Sequence, residues 1–185
     1  SMKHSSSLAV LSALIPAALI PAVLTPGVLA AQTLVDGRRS IVLDGNAAQV
    51  VVDIAGGSIV RFQFQDQQLD PLHWAEEGDK RSPRAMSHFI CLDRWGAPSE
   101  AELNNGMPFH GEAATLVWRV DQKPTAAAGV IQAQMSVSLP MAGFDLKRWM
   151  RLDDDNALLL VKERVTNRNS LGRVYNWVQH PSIGP

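Results

Sequence analysis

From Val130 to Leu139 the chain alternates without a break. Ile131, Ala133, Met135, Val137 and Leu139 fall on one side, and Gln132, Gln134, Ser136 and Ser138 on the other. Side chains point to opposite faces along a strand and recur every 3.6 residues on a helix, so the stretch predicts a β-strand with one buried face. Comparable segments follow after short turns: Phe144 to Leu152, the turn Asp153-Asp154-Asp155-Asn156, Ala157 to Thr166, the turn from Asn167 to Gly172, and a last strand from Arg173 to Gln179. Strands joined so closely lie antiparallel, because a parallel neighbour needs a crossover of a dozen or more residues. The chain is therefore expected to be all-β, an antiparallel β-sandwich or barrel.

The upstream half fits the same class. Ser40 to Leu43 and Gln49 to Ile54 read as short strands, and Gly56-Gly57 as a turn. Ser58 to Gln65 alternates, with Val60, Phe62 and Phe64 on one face and Arg61, Gln63 and Gln65 on the other. Asp66 to Arg84 reads as a polar loop with Trp74 packed down, and Met86 to Leu92 as a strand. Thr115 to Asp121 places Leu116, Trp118 and Val120 together, and Lys123 to Gly129 reads as a connection. No stretch past the N-terminal segment shows a helical period. With 185 residues, 46% of them hydrophobic, the chain is long enough to bury a core. A net charge of −1 supplies no basic field for nucleic acid and is compatible with a neutral ligand.

Residues 1–31 differ in kind. Lys3 and His4 precede an uncharged run from Leu8 to Ala31 that ends in small residues before Gln32. This is the pattern of a secretory signal peptide, with cleavage after Ala30 or Ala31 and a mature domain over 32–185. The alternative is an uncleaved anchor, which Pro16, Pro21 and Pro26 disfavour as a membrane-spanning helix. The expectation is a periplasmic or secreted protein with no membrane segment after signal removal. Cys91 is the only cysteine, so no internal disulfide forms, and its apolar surroundings predict a small buried hydrophobe rather than a nucleophile.

Chemistry is expected where the strand pattern fails. Leu92 to Glu112, LDRWGAPSEAELNNGMPFHGE, is too irregular for a strand and too rich in Trp95, Met107 and Phe109 for disorder. His110 precedes a glycine, which permits close ligand approach or an unusual backbone angle. The same histidine can equally cap a turn. Seventy residues on, His180 stands at a strand end in NWVQHP. Trp95 and Trp177 offer flat faces for sugar C–H groups, or core packing. Asp93 and Arg94 can bond hydroxyls or each other, and the aspartates at 153–155 read as a solvated turn. The five histidines are scattered, although His88 and His110 could still converge, and no metal site or cofactor motif is read.

Taken together, FHGE around His110 and NWVQHPSIGP around His180 resemble the aldose 1-epimerase (galactose mutarotase-like) superfamily, over roughly Val50 to Pro185. The resemblance implies a large antiparallel sandwich, a sugar-binding first histidine, and a second histidine that protonates the ring oxygen. It makes His180 the catalytic acid and His110, Arg94, Trp95, Trp177 and Glu112 the substrate-binding set, with no metal or organic cofactor. Two features depart from the family: Pro181-Ser182-Ile183 replaces an aromatic stretch, and the family's catalytic glutamate lies downstream of these residues. The sandwich is accordingly expected to be incomplete in this chain. The implied function is binding of an aldose, with interconversion of its anomers by acid/base ring opening. The alternatives are a non-catalytic carbohydrate-binding module and a sandwich used for protein contacts with both histidines structural. No sequence feature fixes an oligomeric state.

Overall fold

The computed structural model describes residues 33–72 and 82–184. The signal-peptide reading and the placement of Trp74 lie outside them. The described chain is all-β, in two antiparallel sheets. Strands β1 (Thr33–Val35), β2 (Arg38–Asp44), β3 (Ala48–Asp53), β4 (Ile59–Phe64) and β5 (His88–Asp93) run in chain order across the first sheet. Strands β6 (Arg119–Ala127), β7 (Val130–Leu139), β8 (Phe144–Asp153) and β9 (Leu159–Asn167) form the second. The last strand, β10 (Asn176–Pro181), returns to the first sheet and pairs antiparallel with β5.

One core joins the sheets. Val50, Val52, Ile90 and Leu92 of the first pack with Met135, Leu139, Leu146 and Met150 of the second. The alternation of β7 meets that of β8 residue for residue, from Val130↔Asp153 to Leu139↔Phe144, which fixes the register because a one-residue slip would turn every apolar side chain outward. A polar bridge crosses the same interior. Arg148, 1% exposed, lies with its guanidinium 4.6 Å from the Trp118 ring centroid, donates to the Gly57 carbonyl, and pairs with Glu163 at 2.7 Å. Glu163 also accepts from Trp177 Nε1 at 3.2 Å and from Gln179 Nε2 at 2.6 Å, tying β9 to β10.

Four expectations are corrected. Lys123 to Ala127 is the far end of β6, paired through Thr125↔Gln132 and Ala127↔Val130, not a connection. Its polar residues and Pro124 are tolerated because β6 is an edge strand. Thr115 to Trp118 precedes β6: Ala113–Thr115 is a 3-10 turn, and buried Trp118 donates its backbone N–H to Ile54 and its Nε1–H to Ala113. In β4 a register shift opposite Val51/Val52 breaks the alternation, so that Ile59 rather than Val60 joins Phe62 at the core. A short helix, α1 (Glu100–Asn104), lies within the irregular loop where none was expected. Ser99 caps it and Glu102 returns the bond, the reciprocal box that satisfies two orphan donors of the first turn.

Candidate functional site

Pairing of β10 with β5 decides which side chains share a face. Trp177, Gln179 and Pro181 stand opposite Leu92, Ile90 and His88, and His180 stands opposite Phe89. Ile90 and Leu92 belong to the inter-sheet core, whereas Phe89, Cys91, Ala114 and Val178 form a separate cluster on the outer face. His180 is therefore on the outer face, its ring stacked on Phe89 with centroids 4.6 Å apart and planes 21° apart. The loop after β5 brings His110 to the same place. The two histidine rings lie 5.5 Å apart, and Phe109 packs edge-on against His110 at 4.1 Å.

His110 is held in one orientation. Its backbone adopts a left-handed φ of 67°, its N–H bonds the Gly96 carbonyl at 2.9 Å, and its Nδ1 accepts from the Gly96 N–H at 3.0 Å. An Nδ1 that accepts carries no proton, so in the neutral ring Nε2–H is the donor. Desolvation, and then the neighbouring His180, push the His110 pKa below its ordinary 6.5. Nδ1 of His180 is buried without a hydrogen-bond partner among the described residues, which leaves Nε2 as the nitrogen that meets solvent.

Gly111 is required by this arrangement. Its φ is +82°, and a Cβ there would sit 2.4 Å from the Leu92 carbonyl oxygen. Gly111→Ala is expected to destabilise the domain by about 2–4 kcal/mol, from left-handed strain and overpacking together, and to shift the His110 ring resonances. A melt and spectrum matching the parent would show that the loop has room to move.

The other expected site residues are placed elsewhere. Arg94 binds Glu102 through Nε and Nη2 and the Asp93 carbonyl at 2.9 Å, so its guanidinium anchors α1 to the end of β5. Glu112, 3% exposed, accepts the N–H groups of Met141 and Ala142 at 3.2 and 2.8 Å and so holds the β7–β8 turn. Trp177 is on the inner face, away from His180, bonded to Glu163 and lining a cavity of about 390 Å³ with His88, Val161 and Gln179. Trp95 is 61% exposed beside Gly96. Asp93, at φ 75° and fully buried, is clamped by Arg173 with both contacts at 2.7 Å. Cys91 is buried, and desolvation pushes its thiol up to about 11, which removes it as a nucleophile.

His88 does not join His110. It lies on the inner side of β5 with Nε2 3.1 Å from Gln179 Oε1, and no group of three metal-ligating side chains occurs among the described residues. Burial, then Arg148, lowers its pKa, against the opposing pull of Gln179 and Glu163. Sequence reading missed Phe89 and Gly96, which support the two rings. Phe89 was legible as a strand residue but its partner strand was not, and an amide that fixes a tautomer leaves no mark in residue type.

The two lowered histidines set a pH dependence. Above about 6.5 neither the folded nor the unfolded chain holds these protons. Between 6.5 and the lower folded values, only the unfolded chain takes them up, so stability falls with falling pH across that window and levels off below it. Histidine NMR titration should place His88 and His110 below 6.5, and urea midpoints should fall in parallel. Midpoints that rise as the pH drops through this window would contradict the assignment.

No protein-family model matches the sequence, and no curated protein matches it. Among solved structures the chain is similar to one described as "Crystal Structure Analysis of HI1317", at 15% identity and a TM-score of 0.49, over 62% of this chain and 40% of that one. The chain thus spans less than half the length of that neighbour.

Proposed function

We propose that the protein binds an aldose on the outer face of the first sheet, with His110 and His180 as paired hydrogen-bonding groups. The observation that carries this reading is their convergence. Seventy residues apart in sequence, the rings lie 5.5 Å apart, each with Nδ1 turned into the protein and Nε2 left for a ligand. Exposed Phe109 directly precedes His110, exposed Trp95 directly precedes the Gly96 that His110 bonds, and the two supply apolar surface for the C–H face of a pyranose. Opening a hemiacetal ring needs a base for the anomeric hydroxyl and an acid for the ring oxygen, and His180 is the candidate acid. The galactose mutarotase-like resemblance, the sandwich of that family and an anomer-interconverting activity all belong to this proposal.

A second reading, a carbohydrate-binding module without catalysis, is favoured by one observation. Three of the loop's four carboxylates are already spent: Asp93 on Arg173, Glu102 on Arg94 and Ser99, and Glu112 on backbone amides; the fourth, Glu100, lies exposed in the first turn of α1. None of these three is free to act as the base.

Calorimetric titration with aldoses tests the shared part of both readings. His110→Ala is expected to weaken binding by roughly 1–3 kcal/mol, because sugar hydroxyls lose a partner, while the melting temperature moves little. Unchanged affinity with a large loss of stability would make His110 structural. Export is proposed on the same footing. In a secreting host the mature chain should begin near Ala31 or Gln32, and N-terminal sequencing that finds Lys3 on a soluble cytoplasmic product would remove the signal-peptide reading.

A further inference from the structure

We propose that the outward face of β8 and β9 docks an anionic polysaccharide. Burial alternates along β8, so Lys147, Trp149 and Arg151 point away from the core, and the register sets them beside Arg164, Lys162 and Leu160 of β9. Lys147 Nζ, Lys162 Nζ and Arg164 Cζ lie 5.3, 5.8 and 5.0 Å from the Trp149 ring centroid. The ring quadrupole attracts each cation by about 0.5–1 kcal/mol at an exposed site, which holds three like charges around one side chain. Among the described residues only one carboxylate reaches them. Lys147 reaches Asp121 only at 3.9 Å, where Arg119 already pairs at 2.7 Å. Arg151, Lys162 and Arg164 have no carboxylate partner among the described residues.

On a chain of net charge −1, this positive field is local to one face. The adjoining strand chooses among polyanions. Gln132, Gln134 and Ser136 of β7 lie opposite Arg151, Trp149 and Lys147, so amides and a hydroxyl border the cations on a flat surface. Same-face residues along a strand stand roughly 7 Å apart, which offers a linear polymer a cation or an amide at successive units. A chain bearing both acid groups and hydroxyls, as in a polyuronate, matches that mixture. Single-stranded nucleic acid relies on open aromatic platforms for its bases, and here the indole is taken by cations. A bilayer surface calls for a broad apolar face, and only Leu158 and Leu160 stand out at one margin.

Affinity electrophoresis in gels containing polygalacturonate tests the proposal, with dextran as the neutral control. The protein should be retarded by polygalacturonate alone, less so as salt rises. The pair Lys162→Glu with Arg164→Glu should lose at least tenfold in affinity, and Trp149→Ala severalfold. The same charge change on the other sheet, Arg39→Glu with Arg61→Glu, should leave retardation in place. If the glutamate pair does not fold by circular dichroism, Lys162→Gln with Arg164→Gln carries the test with the same expected direction. Equal retardation in dextran, retention of full affinity by the glutamine pair, or tighter binding to a single-stranded oligonucleotide or to anionic phospholipid vesicles than to polygalacturonate would each overturn the assignment.

Discussion

Glu163→Ala is expected to lower the stability of the domain by about 3–5 kcal/mol, the usual loss when one partner of a buried ion pair is removed. Both side chains of the Arg148–Glu163 pair are only 2% exposed, so alanine leaves a guanidinium in the interior with the Gly57 carbonyl as its remaining acceptor and Trp118 against its face. The same carboxylate accepts from Trp177 and Gln179, and both donors lose their partner together. Because these donors sit on β10 and Glu163 on β9, the loss falls on the tie between the two sheets. Urea denaturation measures it, with a lower midpoint at unchanged slope. Replacing both charges, Arg148→Met with Glu163→Leu, should cost less than Glu163→Ala alone, since no unpaired charge remains buried. A loss below about 1 kcal/mol for Glu163→Ala would show that water reaches the pair, as surface ion pairs are worth no more than that.

The contrast between the Glu163 contacts, which join β9 to β10, and the alternation of β7 and β8 shows what kind of information sequence pattern carries. Period-2 alternation made β7 and β8 legible because their whole register is set by one buried face each. The same signal missed the far half of β6, where an edge strand has little to bury and its residues look like a connection. It also missed α1, five residues long and without a buried side chain, although the Ser99–Glu102 box that starts it is written in the sequence. Pairing of strands distant in the chain lies beyond alternation altogether. Nothing local says that β10 leaves the second sheet to lie beside β5, yet that step carries His180 to Phe89 and Trp177 to the opposite side.

For the candidate site the same division holds. The histidines stood out because chemistry-bearing residue types sat where the strand pattern stopped, and the β5–β10 pairing brings them together. Arg94 and Glu112 stood out for the same reason and went elsewhere. A charged residue beside an irregular loop serves as readily to hold that loop as to meet a ligand, and here the backbone needed them first. Arg94 anchors α1, while Glu112 supplies the two N–H groups at Met141 and Ala142 with acceptors. Buried donors without partners cost more than such a carboxylate would gain from a sugar at the surface.

His180→Gln should separate catalysis from binding. If His180 hands its proton to the ring oxygen as the ring opens, glutamine removes the acid and keeps a hydrogen-bonding side chain of similar reach. The kcat for anomer interconversion should then fall by roughly 10²–10⁴-fold, the usual contribution of a positioned acid or base. KM should change little, because a group acting in the transition state shows its loss in kcat. His110→Ala should behave in the opposite sense, raising KM with a smaller effect on kcat, if the Nε2–H that the Gly96 amide leaves as the donor serves the proposed sugar. Polarimetry on a freshly dissolved pure anomer reads both. Equal losses in kcat for the two variants would mean that the pair acts as a unit and that the division of roles is wrong. No acceleration by the parent protein, with calorimetric sugar binding intact and dependent on His110, would leave the binding module as the reading that survives, in keeping with Asp93, Glu102 and Glu112 already committed to Arg173, Arg94 and the backbone.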